Sequence, residues 1–424
     1  MQDLLKLEKR HQWHPFTPMQ AWCDERHEPL MLVSGEGCWL TDQHGFRYFD
    51  GNSSIWTNIH GHNHPTINAA IQAQLGRVAH TSFLGFTHEP AIELGRQLVG
   101  LLPGEPLSRV FYSDDGSTAI ECAMRMALQY WKQNGHPQKD TIVAFDRAYH
   151  GDTLGAASVG GIPVFKGSGN DFGYRVQRVP NLEALETLTA EQTLHLAAVI
   201  IEPLIQGSAG MRLWPKGMLK ALSEWCQKHD VFLILDEVMT GFGRTGKMFA
   251  CQHEGVVPDF LCLAKGLTGG YLPMAATMTT ERVFEGFLGA GRAFYYGHSY
   301  TASQLGCAAA LGSLQVFRDE QVMEKLPEKI RLFSFIVNSL RDVPAVRDIR
   351  LCGLIAGIEV GPFPPEDLTG VKICLAARKH SLLTRPVVDT LVLMPPLAAT
   401  EDELIEMVEA LRLAILEVTQ DRPE

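Results

Sequence analysis

The run from Leu233 to Gly270, LILDEVMTGFGRTGKMFACQHEGVVPDFLCLAKGLTGG, limits what this chain can fold into more than any other stretch. An apolar segment of strand length ends in Asp236-Glu237. A glycine-rich turn follows, and a second short apolar segment, Phe260 to Ala264, ends in Lys265-Gly266. Strands apolar on both faces belong in a parallel sheet covered by helices. The two strand ends are also a chemical pairing. A carboxylate can hold a protonated ring nitrogen, and a lysine beside it can form a Schiff base with a carbonyl.

The same rhythm runs through the middle of the chain. From about residue 108, RVFYS, TIVAF, AAVIIEP and FLILDEV read as buried strands separated by loops and helices. Ligands in such sheets bind outside the C-terminal strand ends. Ser113/Asp114, Glu202, Asp236 and Lys265 all fall at such ends, and their convergence argues for a site. Asp115-Gly116-Ser117-Thr118 precedes AIECAMRMALQYWKQ, which places Ile120, Ala123, Met124, Ala127 and Tyr130 on one helical face. Small residues at a helix start leave N–H groups free for an anion such as phosphate. The same residues serve equally as a plain N-cap.

The flanks have a different style. Residues 1–30 are rich in aromatic, proline and histidine residues and read as a surface arm, neither helix nor strand. Residues 31–50 alternate and turn at glycines, as a small antiparallel sheet does. His60, His62 and His64 alternate and invite a metal reading. Gly61 and Pro65 make the segment a loop, and no Cys, Asp or Glu beside them completes a site, so no metal is assigned. Residues 66–102 read as two amphipathic helices, and a glycine-rich loop reaches about 175. A helix ASQLGCAAALGSLQVF follows Tyr295–Thr301. Beyond about 320 the order is helix, strand (DIRLCGLIAGIEV), helix, TRPVV, VLMPP, helix. The expected division is an arm with strands at 1–65 packing with a small C-terminal unit at 316–424, and a large unit at 66–315.

With 424 residues and a net charge of −11, the chain is long enough for a large core and carries no basic run that would suit a nucleic acid. No apolar stretch approaches membrane-spanning length. The N-terminus lacks a signal-peptide core. Nine scattered cysteines without a CxxC fit reduced, buried thiols, so a cytoplasmic enzyme is expected.

The stretch from Asp236 to Gly270 closely resembles the signature of class III (subgroup II) pyridoxal phosphate-dependent aminotransferases, of fold type I. The resemblance covers nearly the whole chain. It implies an α/β fold, with a mainly parallel sheet in a large domain and a smaller α/β domain beside it. Within the class, HQWHPFT, SSIWTNIHGHNHP, YHGDT, GHSYTASQLGCAA and RPVVDTLVLMPP resemble the branch that aminates 8-amino-7-oxononanoate in biotin synthesis. By this resemblance Lys265 would hold the cofactor and move the donor's α-proton. Asp236 would pair with the ring nitrogen. Asp115, Gly116 and Ser117 would hold the phosphate, together with His298 and Ser299 from the partner subunit, so a homodimer with shared sites is implied. Tyr149 would stack on the ring and Val238 would lie beneath it, with Glu202 nearby. Arg385 would take the ketoacid's distal carboxylate, a task suited to a guanidinium fork. Phe16, Ile55, Trp56 and Gly297 would complete the substrate pocket. Arg244 and Asp152 lie in matching loops, either as pocket groups or as groups that fix the loops.

One departure from the branch matters. Its adenosylmethionine users carry HPYT in the arm and a Trp-Trp pair after SS, whereas this chain has Phe16 and Ile55-Trp56. A sulfonium donor would use that missing aromatic face. The change, like GHSYT in place of GPTF, resembles the branch that uses L-lysine. The donor is therefore expected to be lysine, with S-adenosylmethionine as the alternative. Another class III ω-aminotransferase, acting on ornithine, 4-aminobutyrate or a diamine, is the competing activity. A non-catalytic scaffold is opposed by the intact Lys265 and Asp236.

Overall fold

The computed structural model of the chain describes residues 2–165 and 173–420. Its centre is a seven-stranded sheet. In chain order the strands are β1 (Arg109–Ser113), β2 (Thr141–Phe145), β3 (Arg175–Val179), β4 (Leu196–Ile201), β5 (Phe232–Asp236), β6 (Phe260–Leu263) and β7 (Ala275–Thr279). Their spatial order is β1-β7-β6-β5-β4-β2-β3. Strands β6, β5, β4, β2 and β3 pair in parallel, and only β7 runs antiparallel to its neighbours. Every residue of β4, β5, β6 and β7 is buried. Burial on both faces explains why β4, β5 and β6 are written almost without polar residues.

One face is covered by helix Gly116–Gln133, whose Ala119, Ile120, Ala123 and Ala127 pack against Ile142, Ile200 and Ile234. Helix Met218–Lys228 covers the other, through Leu219, Leu222 and Cys226. Because the parallel strands point the same way, Asp236, Glu202 and the residues after Leu263 emerge at one edge of the sheet.

Strands Leu32–Glu36, Trp39–Asp42 and Arg47–Asp50 form an antiparallel sheet, and Leu382–Leu383 joins it parallel to Arg47–Asp50. The C-terminal region holds a four-stranded antiparallel sheet under helices Val322–Asn338, Thr369–Ala377 and Glu401–Thr419.

Four local expectations change. The arm is partly helical, at Gln2–His11. The helix is braced by residues from beyond it: Lys9 Nζ donates to Asp24 O at 2.7 Å, and Trp22 Nε1 donates to Glu8 at 3.1 Å. The segment DIRLCGLIAGIEV is a hairpin of two strands, Val346–Leu351 and Ala356–Val360. It turns at Gly353 (φ +62°), where a Cβ would lie 2.4 Å from the Arg244 carbonyl oxygen. The segment read as a glycine-rich loop contains helix Leu154–Val159, and β3 begins at its end. The middle of that loop, 166–172, lies outside the described residues. Finally, β7 follows Lys265 where no strand was assigned. Its AATMT is short and half polar, and its placement between β1 and β6 comes from tertiary pairing.

Candidate active site

Asp115 caps helix Gly116–Gln133: its Oδ1 accepts from Thr118 N at 2.9 Å, and its own N–H donates to Thr118 Oγ1 at 3.0 Å. Gly116 and Ser117, the first helical residues, have N–H groups without intrahelical acceptors. Both line a cavity of about 400 Å³ at the C-terminal edge of the sheet. Two glycines keep the space open. A Cβ on Gly116 would meet Val238 Cγ1 at 2.6 Å, and one on Gly151 (φ +118°) would meet Ser117 Oγ at 2.1 Å.

Asp236 ends β5 with its side chain almost fully buried. Its Oδ1 accepts from Val238 N at 3.1 Å, and its Oδ2 lies 2.7 Å from His150 Nδ1. The His150 ring is buried, and its Nε2 has no hydrogen-bond partner among the described residues. The sequence reading passed over His150, whose one signal was its place beside Tyr149.

Glu202, just past β4, accepts from Tyr149 N at 3.2 Å and from Gly207 N at 3.1 Å. Burial pushes its carboxyl up to about 7; His150 opposes the shift and Asp236 adds to it. Lys265 follows β6 in the left-handed region at φ +47°. For a residue with a Cβ this costs about 1–2 kcal/mol, a strain kept where the surroundings impose it. Its Nζ lies 5.1 Å from the centroid of the Trp56 ring. Burial lowers the ammonium pKa, against the opposing charges of Asp236 and Glu202.

Trp56 stands on a strained loop, with Ser53, Ser54 and Trp56 all at positive φ. Asp50 clamps it: its two oxygens accept from Ser54 N at 2.8 and 2.7 Å, and Oδ2 lies 2.9 Å from His62 Nε2. Trp56 Nε1 donates to Asn52 Oδ1 at 2.9 Å. Arg244 fixes the same loop from below. It is buried, it donates to the Pro395 carbonyl and, at 3.3 Å, to Ser53 Oγ, and it is not a cavity wall. Burial lowers its guanidinium to about 9, opposed by Asp50. Asp152 fixes Tyr149, accepting from its hydroxyl at 2.7 Å. The three alternating histidines diverge: His60 meets Ser313 Oγ at 3.1 Å, His62 meets Asp50, and His64 meets Glu320 at 2.8 Å.

Trp56, Asp115, Gly116, Ser117, Tyr149, Glu202, Asp236, Val238 and Lys265 therefore share one cavity. Phe16, Ile55, Gly297, His298, Ser299 and Arg385 do not line it within the single chain. Phe16 is 62% exposed and packs on Phe165, while Ile55 is 45% exposed. His298 reaches the rim, with Nδ1 3.5 Å from Oδ2 of Asp114. Gly297 and Ser299 are exposed beside it. Arg385 is exposed and makes no ion pair among the described residues. The cavity fits pyridoxal phosphate: N–H donors and a hydroxyl for the phosphate, a buried carboxylate side chain for the ring nitrogen, and a lysine whose pKa burial lowers for the aldehyde.

Comparison with known proteins agrees. The family Aminotransferase class-III matches residues 22–415. The adenosylmethionine-8-amino-7-oxononanoate aminotransferase of Nitratidesulfovibrio vulgaris is 44% identical, over 98% of this chain and 82% of that protein. The protein of that name from Geobacter sulfurreducens is 42% identical, over 99% of this chain and 98% of its own. The crystal structure of adenosylmethionine-8-amino-7-oxononanoate aminotransferase from Methanocaldococcus jannaschii superposes with a TM-score of 0.95 at 38% identity, covering 98% of this chain and 99% of that one. A thermostable (S)-enantioselective omega-transaminase from Thermomicrobium roseum gives 0.93 at 31% identity, covering 99% and 98%. The chain belongs to the class III aminotransferases, and its cofactor is pyridoxal 5′-phosphate.

Proposed function

We propose that this aminotransferase converts 8-amino-7-oxononanoate to 7,8-diaminononanoate in biotin synthesis, by a ping-pong mechanism. The observation that carries the chemistry is the meeting of Lys265 and the Asp236–His150 pair on one cavity. Full-length identity of 44% and 42% to relatives of that name supports the substrate.

Bound there, pyridoxal phosphate supplies an electron sink for the carbon that loses its proton. The chain does the rest. Gly116 and Ser117 bind the phosphate at a helix N-terminus. Asp236, with His150 behind it, keeps a proton on the ring nitrogen. Tyr149 and Val238, both on the cavity wall, would bracket the ring. Nζ of Lys265, its pKa lowered by burial, would take the α-proton of the donor. Arg385, free of any ion pair among the described residues, holds the distal carboxylate of the ketoacid.

The working unit in this reading is a homodimer, with the phosphate grip completed by the partner subunit's His298 and the partner subunit's Ser299. Support comes from large apolar side chains left exposed on that segment and on the one tied to it: Leu84, Phe86 and Tyr295 are 68%, 69% and 89% exposed. The rings of His80 and Tyr300, 4.5 Å apart, join the two segments that carry them. Residues 66–315 would form the cofactor-binding unit, and 1–65 would join 316–424, as pairing of Arg47–Asp50 with Leu382–Leu383 supports. Nine free cysteines, seven of them buried, suit a cytoplasmic enzyme.

The donor in this reading is S-adenosylmethionine, which the relatives' names carry. Phe16 and Ile55 favour a second reading, L-lysine. Half-reaction spectra of the holoenzyme separate them. Conversion of the cofactor to its amine form by sub-millimolar S-adenosylmethionine alone supports the first, and conversion by lysine alone the second. Failure to complement a strain lacking the synthase, with folded protein present, would favour another ω-aminotransferase.

A further inference from the structure

Tyr149 is held from three directions. Its N–H donates to Glu202, its hydroxyl donates to Asp152, and its ring meets that of Phe165 edge-on, with centroids 5.2 Å apart at 65°. Both rings line a crevice of about 10 Å³, together with Gly151, Gly160 and Ile162. That is room for one water at most, which leaves the Tyr149 ring little space on the side of Phe165. Phe165 ends a single turn, Pro163–Phe165, that has no long element of its own to steady it. Among the described residues, the arm reaches it through Phe16, edge-on at 5.7 Å and 84°. Phe16 itself sits at φ +51°, a conformation retained where neighbours dictate it. Three rings thus run from the exposed arm to the cavity wall: Phe16, Phe165, Tyr149.

We propose that Phe165 is a positioning residue for transamination, which transmits the arm's contact at Phe16 to Tyr149 and sets the width of the slot that receives the amino donor. The proposal rests on the reading of Tyr149 as the residue stacked on the cofactor. It explains how Phe16, outside the cavity, bears on donor choice: its ring acts through Phe165. Edge-to-face pairs gain from ring geometry beyond the area they bury. An aliphatic residue of similar bulk at 165 would therefore fill the crevice without orienting Tyr149.

Phe165→Ala, Phe165→Leu, Phe16→Ala and the double alanine variant test this in the holoenzyme. Phe165→Ala should raise the donor KM about tenfold, the scale set by an aromatic pair, with a much smaller change in kcat. It should also shift the absorption band of the bound cofactor. Phe165→Leu should fall between Phe165→Ala and wild type, and it serves as the test if Phe165→Ala does not fold. The double variant should be little worse than Phe165→Ala alone, because Phe16 acts through that ring. Multiplying effects, or an unchanged cofactor spectrum with unchanged KM in Phe165→Leu, would overturn the proposal. Tyr149→Ala separates the two layers. If it leaves spectrum and rate intact, the reading of Tyr149 fails. If it impairs both while the Phe165 variants do not, only the relay fails.

Discussion

In the proposed mechanism single groups at the strand ends carry the chemistry, and burial shifts the titration of Lys265 and Glu202. Lys265 is pushed toward the neutral amine by burial, while Asp236 and Glu202 pull it back. Lys265→Ala should lower kcat by about 10⁴-fold, the upper range for loss of a positioned acid–base group. Borohydride-treated variant should carry no cofactor mass in the mass spectrometer. Glu202 gives a stability signature. Its folded pKa is about 7, above the ordinary 4.5, so between those values the folded state holds more protons than the unfolded one. Stability must therefore fall as pH rises from about 4.5 to 7 and then level off, a loss on the order of 3 kcal/mol. Burial raises Glu237 to about 7 and Asp259 to about 6 as well, so in urea unfolding of the cofactor-free protein Glu202→Gln should lessen that slope by its own share and gain on wild type above pH 7. A variant whose slope is undiminished would assign it wholly to those other carboxyls. Lys265 and Asp236 were legible from sequence because each sits at the end of an apolar run. His150 was not, since a buried histidine behind a carboxylate leaves no spacing to read.

At the scale of elements, legibility tracked burial. Strands β4, β5 and β6 are enclosed on both faces and announce themselves as apolar runs. Edge strand β3, RVQRV, is exposed to half-buried over most of its length and looks like loop. The arm helix Gln2–His11 is braced by tertiary contacts to residues 22–27, which no local pattern encodes. The loop carrying Trp56 is the element on which these limits bear most. Its three positive-φ residues hold because Asp50, 2% exposed, binds Ser54 N with both oxygens. Asp50→Ala would leave that N–H and His62 without their acceptor. A loss of about 1–3 kcal/mol is expected, as for an unsatisfied buried donor, read as a lowered thermal midpoint. Trp56 would then leave its place over Lys265, raising KM more than it lowers kcat. An unchanged KM with lowered stability would mean that Asn52 alone keeps Trp56 in place.

For the whole molecule, the division of the expected site residues is itself informative. Those at the C-terminal edge of the sheet meet in one cavity within a single chain. Gly297, His298 and Ser299 stop at its rim; Tyr295 just before them is exposed, as are Leu84 and Phe86 on the segment that the His80 and Tyr300 rings tie to theirs. Large apolar groups exposed together mark an interaction surface. A surface shared by two copies would cover these side chains and bring the 297–299 segment of each chain to the neighbouring cavity. Phe86→Asp with Tyr295→Asp places charge in the centre of that surface and should give a monomer by sedimentation, since buried unpaired charge is costly at an interface. Cofactor affinity should fall with it by about tenfold or more, as expected when charge-assisted contacts to the phosphate are lost. The control is Phe335→Asp, at an exposed position elsewhere (78%), which should leave both oligomer and cofactor binding intact. A monomeric double variant that binds cofactor as tightly as wild type would show that one chain completes the phosphate site, and that His298 acts on its own Asp114.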